Sequence, residues 1–284
     1  MYRYFQPTYV KDFICDGKKC GAHCCRAGWT IEIDDDTHKK YSSLVDLPQH
    51  FAFNEQLNKY CIAPNEQGVC PYLDADQLCS IQRTYGEAFL SETCRQYPRQ
   101  TLDFGEYYER SLSLVCPIAS DMILNSARIE FEWLEVDERV HRQSEIFEPN
   151  VPNDFWSDFV AIQREAIAIL QRRSLSISDR LLELGNYLAQ FDSNVRIDED
   201  IYRVPASIDD IMLENYLVHE FFINTYPWRF ELPIEFNLAI YLLNVHELIH
   251  RAPILTVEAI REFVVLSNHD MDYISEQLKR LQLS

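Results

Sequence analysis

Glycine is scarce in this chain: 284 residues contain seven, and no two are separated by a single residue. That excludes the glycine-rich turn on which doubly wound sheets seat adenosine cofactors, and no alternation of strand and helix is written around one. Basic charge is short as well. Lys and Arg number 26 against 45 Asp and Glu, a formal net charge of −19. A nucleic-acid partner is therefore not expected, because phosphate backbones are gripped by excess Lys and Arg. A basic partner suits this charge, although acidity more commonly just keeps a protein dispersed. No apolar run approaches the ~18 residues of a membrane-spanning helix, and Met1 to Pro7 form no basic, apolar leader. The expectation is a soluble, cytoplasmic protein with no membrane partner. Cysteine is absent from Pro117 to Ser284.

All nine cysteines lie before that boundary: Cys15, Cys20, Cys24, Cys25, Cys61, Cys70, Cys79, Cys94 and Cys116. Cysteine used as a generic small apolar residue would not respect such a limit. Cytosolic thiols are kept reduced, so metal or cluster ligation is the leading reading. Inert buried thiols, or a disulfide framework in an exported protein, compete with it. Gly17 and Gly21 allow tight turns among the first four sulfurs, and Lys18, Lys19 and Arg26 favour thiolate beside them. Cys61 stands apart and is the least committed of the nine. The other eight could fill one cluster with spares, or two four-ligand sites. Tetrathiolate coordination suits both zinc and iron-sulfur clusters. Cys15, Cys20 and Cys24, with four and then three residues between them, do not match the tighter Cys-x-x-x-Cys-x-x-Cys signature of radical enzymes that use S-adenosylmethionine.

The expected fold is mainly α, with an irregular cysteine-rich amino-terminal region of minor β content (residues 1–126) packed on a helical domain (127–284). Tyr2 to Ile14 is a lead-in. Trp29 to Asp34 alternates like a short strand, and Asp34 to Thr37 opens a helix; these aspartates lack the spacing of a calcium loop. A turn is expected at Asp74 to Gln77, a short helix from Ser80 to Gly86, a helix begun at Ser91 and stopped by Pro98, and a hairpin over Gln100 to Leu114. Helices follow from Ile118 toward Trp133, with a solvated acidic end through Glu138. After a break at Pro149 and Pro152 come Phe155–Arg172, Arg180–Phe191 capped by Ser178 or Asp179, Asp209–Tyr226, Pro233–His250 and Thr256–Leu283.

At its cysteines the chain resembles the flagellin lysine-N-methylase family, and more distantly the broad zinc- or iron-chelating cysteine-cluster proteins. The matching pieces are Cys20 to Cys24-Cys25 with Trp29; Cys70 with Tyr72-Leu73 and Asp76; Leu78-Cys79-Ser80-Ile81; Gly86-Glu87; Leu90-Ser91 with Thr93-Cys94; Tyr97-Pro98-Arg99; and Ser113-Leu114 with Cys116-Pro117. Leu213 to Leu217 and Phe221-Phe222 match more loosely. The resemblance implies an iron-sulfur protein, with a 4Fe-4S cluster, that transfers methyl groups from S-adenosylmethionine to lysines of flagellin. Cys61 has no counterpart.

Methyl transfer needs a neutral lysine amine behind the sulfonium carbon. With no glycine turn to seat the cofactor, a cluster with an open iron is the natural substitute. Arg95 and Arg99 flank Cys94 and are candidates to neutralise thiolate charge or to hold the cofactor's carboxylate, against ordinary surface ion pairing. Tyr72 and Tyr97 are better read as packing than as lysine contacts. His246-Glu247-Leu248-Ile249-His250 satisfies the zinc-protease pattern, but both histidines fall outside their helix's apolar stripe and no third ligand follows; an exposed or interfacial pair is preferred. A non-enzymatic metal- or cluster-binding module with a partner-docking helical domain is the alternative function.

Overall fold

The fold is described from a computed structural model over residues 1–44, 50–137, 145–146, 156–208, 210–229, 232–269, 272–273, 275–276 and 279. The expected break at Pro149 and Pro152, the helix starts at Phe155 and Asp209, Glu138, and most of the expected helix beyond His269 lie outside these residues. The architecture is mainly α with two β-sheets. The chain forms two compact units: residues 1–6, 10–119 and 133–145, which hold all the cysteines, and residues 7–9, 120–132 and 146–284. The expected cut after residue 126 falls inside the 120–132 segment of the second unit.

The first unit is built on short elements. Tyr2–Pro7 is not a loose lead-in but a strand, β1. It pairs in parallel with β6 (Tyr108–Leu112), aligning Tyr4 with Tyr108. β6 forms the expected hairpin with β5 (Arg99–Asp103) around Gly105. The helix expected to continue toward Trp133 instead stops at Leu124, as α5 (Pro117–Leu124), and the chain returns as β7 (Phe131–Val136). Phe131, Trp133 and Val136 are aromatic or β-branched residues of the kind that suit a strand. With β8 (Glu145–Ile146) the sheet order is β7-β1-β6-β5-β8.

A second, three-stranded sheet, β2-β4-β3, comprises β2 (Ile31–Glu32), β3 (Phe51–Asn54) and β4 (Lys59–Ile62). Only β2 shows a clear signal in the sequence. Helix α1 is a single turn (Tyr9–Asp12). α2 (Asp35–Ser42) starts at the expected Asp34 cap, α3 (Ser80–Tyr85) ends at Gly86, and α4 (Glu92–Gln96) starts at Ser91. Ile33, Tyr41, Ile62, Tyr72 and Ile81 form a core beneath these pieces, and Cys70 and Cys79 pack against it.

The second unit contains the long helices α6 (Trp156–Leu170), α7 (Ile177–Leu188), α8 (Asp210–Ile223), α9 (Ile234–Arg251) and α10 (Val257–His269). Ser176, two residues before the expected position, caps α7 by accepting from the Asp179 N–H at 3.2 Å. Every residue of α8 from Leu213 to Phe222 is buried, the state of a helix enclosed on all sides. Several of its polar atoms find partners inside the unit. Glu214 accepts from Arg180 at 2.7 Å and from Arg173 at 2.8 Å, and Asn215 donates to the Ser126 carbonyl at 2.7 Å. Among the described residues no helix is long and apolar enough to cross a membrane.

Candidate metal centre

The first sulfurs are presented by backbone that only small residues fold easily. Residues 16–22 coil tightly, with the Cys20 N–H donating to the Asp16 carbonyl and the Ala22 N–H to the Gly17 carbonyl. Gly21 and Ala22 both sit at positive φ. Ala22 is the entry to a 3₁₀ turn, His23–Arg26, that carries Cys24 and Cys25. Ala in the left-handed region is uncommon and costs energy that the surrounding contacts must offset.

Backbone hydrogen bonds then join this turn to distant sequence. The Cys70 N–H donates to the Cys25 carbonyl at 2.7 Å, and the Gly28 N–H to the Gly68 carbonyl at 3.1 Å. The Arg26 guanidinium donates to the Gln77 side-chain oxygen. That oxygen belongs to the expected turn, where Asp74 accepts from the Asp76 and Leu78 N–H groups and pairs with Arg83. The turn delivers Cys79 to the start of α3.

Cys94 is placed by a relay of caps. Asp34 accepts from the Thr37 N–H at 2.9 Å, which starts α2, and from the Glu92 N–H at 3.1 Å, which fixes the start of α4. Ser91 accepts from the Cys94 N–H at 3.2 Å. Burial opposes the charge on Asp34, but the Thr37 hydroxyl and N–H hold its carboxyl below the usual range. The N-cap was legible in the sequence; its second recipient, 58 residues away, was not.

The result is a cavity of about 420 Å³ lined by Cys15, Cys20, Cys24, Cys25, Cys70, Cys79, Cys94 and Cys116. These are the eight cysteines singled out as candidate ligands. Cys61 is not among the lining residues. It is buried on β4, whereas its neighbour Ile62 lines the cavity. All nine thiols are free. No Asp or Glu lines the space; Phe13, Trp29, Leu78, Leu90, Tyr97 and Ile118 provide apolar wall. Among the described residues no three His, Cys, Asp or Glu side chains are drawn into the arrangement that holds a single metal ion.

The electrostatics describe thiols that crowd one another. Burial, then the neighbouring Cys24, Cys20 and Cys116, push Cys15 up to about 11. Burial also raises Cys79 and Cys116. Cys94 is exposed, yet desolvation by the surrounding protein and the sulfurs of Cys79, Cys70 and Cys24 push it up to about 12. Cys25 hydrogen-bonds to both Cys24 and Cys70, which lowers those two and raises Cys25 itself. The chain offers little counter-charge. Arg83 is committed to Asp74 and Asp76, each at 2.9 Å. A metal bound here would release the protons that these thiols hold.

The two arginines proposed for the cofactor do not line the cavity. Arg95 pairs with Glu92 one turn before it. Arg99 donates to the Phe13 carbonyl at 3.1 Å and stacks over the Phe13 ring; its charge acts on Cys15, weakly opposing the rise there. Tyr72 belongs to the core cluster, while Tyr97 lines the cavity. The histidine pair of α9 does not assemble a zinc-protease site: His246 hydrogen-bonds to the Ile201 carbonyl, Glu247 pairs with Arg251, and His250 is exposed.

The chain is 37% identical over 129 residues to proteins named lysine-N-methylase from Salmonella choleraesuis and Salmonella typhimurium; the match covers 42% of this chain and 32% of each of theirs. It is 36% identical over 129 residues to the flagellar biosynthetic protein FliU of Salmonella muenchen, covering 76% of that protein. The match thus spans about a third of the length of the two lysine-N-methylases. No family model matches the chain, and no solved structure does.

Proposed function

Since the chain belongs to the flagellin lysine-N-methylase family, we propose that it is a protein lysine N-methyltransferase that moves methyl groups from S-adenosylmethionine to lysine side chains of flagellin. Its resident cofactor is an iron-sulfur cluster, 4Fe-4S, held by thiolates of the cavity. One observation supports this cofactor above all: eight sulfurs from distant points of the sequence line one space that no carboxylate enters. An all-sulfur donor set suits iron-sulfur clusters and zinc and disfavours hard cations. Zinc takes four ligands at about 2.3 Å around one point. Sulfurs spread around a cavity of about 420 Å³ suit a polynuclear cluster better. The Cys24, Cys25 and Cys70 group is the natural place for it to be anchored.

When bound, the cluster supplies an open iron for the amino and carboxylate groups of the methionine portion. The chain's own residues do the rest. Leu78, Leu90 and Ile118 wall the cavity, and desolvation by such a wall favours the neutral amine that attack requires. The net charge of −19 draws a lysine-bearing protein toward the enzyme. Anaerobically purified protein is expected to be brown, with iron and sulfide in equal amounts, and to transfer label from S-adenosylmethionine to flagellin of the same cell. Colourless, zinc-loaded protein would defeat the cluster; a brown protein that transfers no label would defeat the methylase. The latter outcome would favour a non-enzymatic cluster-binding module with a partner-docking helical unit, a reading to which the 32% coverage of the Salmonella methylases lends weight.

A further inference from the structure

We propose that Trp29 and Tyr97 form the wall that recognises the positive charge of the methyl donor, and that this wall sets the preference for S-adenosylmethionine over its demethylated product. The inference rests on the methylase reading above. It starts from an exposed tryptophan. Trp29 is 37% exposed yet lines the sulfur cavity together with Tyr97. The two ring centroids lie 5.1 Å apart with their planes at 66°, so the rings make a corner rather than a stack.

Both rings are held by backbone on either side, which is what a recognition element needs and an adventitious surface aromatic lacks. Before Trp29, Gly28 sits at φ +75°, a conformation that favours glycine, and its N–H is bonded to Gly68. After it, Ile31 enters β2 opposite Ile62. Tyr97 closes α4, its N–H donating to the Thr93 carbonyl at 3.1 Å, and the carbonyl of the next residue, Pro98, accepts from the Ser113 N–H at 2.8 Å. The rings therefore come preplaced from two segments far apart in sequence.

A third aromatic of the cavity shows the contrast. Phe13 already carries a cation, the Arg99 guanidinium 5.1 Å from its centre. Among the described residues no cation lies over Trp29. The face of an aromatic ring attracts positive charge, Trp most strongly, and sulfurs carrying negative charge when ligating would strengthen the attraction. An onium group is the ligand such a corner suits.

Two onium groups belong to the proposed reaction, and the chemistry separates them. The lysine must be neutral to attack, so stabilising its ammonium would oppose reaction. The donor's sulfonium is a permanent cation in the ground state. As the carbon–nitrogen bond forms, the carbon–sulfur bond breaks and its electron pair stays on sulfur; the nitrogen gives up a proton, and a neutral thioether leaves. The wall thus binds the donor and releases the product. Because the charge on sulfur fades toward the transition state, the wall holds the bound donor more tightly than the transition state and so contributes affinity at some cost to kcat.

The test is isothermal titration of the anaerobically purified full chain with S-adenosylmethionine and with S-adenosylhomocysteine, for wild type, Trp29→Leu, Trp29→Phe and Tyr97→Leu. Trp29→Leu is expected to weaken S-adenosylmethionine about two- to thirtyfold and S-adenosylhomocysteine by less than about twofold. Trp29→Phe, which keeps a ring, retains most of the preference, and in turnover Trp29→Leu raises KM without lowering kcat. Equal weakening of both ligands, or of neither, overturns the wall and leaves the methylase reading intact. Wild-type protein that binds neither ligand overturns that reading and the wall with it. Should Trp29→Leu fail to fold by circular dichroism, Tyr97→Leu carries the comparison by the same criterion, with Trp29→Phe as the ring-retaining control.

Discussion

The cysteine unit and the helical unit bury polar and ionisable groups on opposite terms. In the helical unit such groups meet partners supplied by the same chain. Glu214, 1% exposed at its side chain, has Arg180 and Arg173, and buried His219 shares a hydrogen bond with Tyr9 at 2.9 Å. In the cysteine unit eight thiols line one cavity, and neighbouring sulfurs raise the proton affinity of Cys15, Cys79 and Cys94. One unit pairs buried Glu214 with cations of its own; the other gathers sulfurs with little counter-charge beside them. The difference shows how to recognise a place for a cofactor: a converging set of like donors, held by caps and turns, with no counter-charge assigned to it.

The comparison breaks most visibly if the helical unit proves dependent on the proposed cluster, or the cysteine unit independent of it. Glu214→Ala leaves Arg180 buried and unpaired, and is expected to cost about 3–5 kcal/mol. Denaturant unfolding followed by helical circular dichroism would measure this, with the metal content of the folded protein unchanged. Stripping iron with a chelator is expected to cost the cysteine unit about 3 kcal/mol, the linkage for a ligand present at roughly 100 times its dissociation constant. Near-ultraviolet melts should shift while the helical transition stays; equal loss in both would mean that the units do not behave separately.

A smaller effect sharpens the account of how the sulfurs are placed. Asp34→Ala removes one carboxylate that caps two helices and is expected to cost about 1 kcal/mol, with iron retention falling alongside stability. A pH dependence is expected in the helical unit as well. Burial, partly offset by Arg229, Asn268 and Asn224, pushes Glu220 up to about 7. The unfolded carboxyl ionises near 4.5, so between these values the unfolded state holds fewer protons and stability falls as pH rises. Glu220→Gln should flatten that slope in melts between pH 5 and 7. The smallest expected effect is on metal. Cys61→Ala should leave the iron-to-protein ratio of wild type, whereas Cys25→Ala lowers it; a loss of iron from Cys61→Ala would contradict the cavity as described.

Local chemistry was legible wherever a side chain acts on its own backbone. The Asp34 cap, the turn at Asp74, the stop at Gly86, the Ser91 cap and the hairpin around Gly105 all stand where the sequence puts them. What escaped depends on partners far along the chain. β1 is a strand because β6 lies beside it, and Phe131–Val136 leaves the helical pattern to extend the same sheet. β3 and β4 are only four residues each, and gain their identity from pairing with each other. Arg95 and Arg99 sit next to Cys94 in sequence but turn to Glu92 and Phe13, because neighbours along a helix or strand face different ways.

The sequence by itself determined that sulfur would gather in the first 116 residues, since the count and confinement of cysteine need no coordinates. Only the tertiary structure decided which sulfurs meet. Successive side chains of a strand point to opposite faces: on β4, Ile62 lines the cavity together with its partner Ile31, so Cys61 beside it is turned away. A shift of one residue in that register would exchange them, and pairing between strands thirty residues apart along the chain is what fixes it.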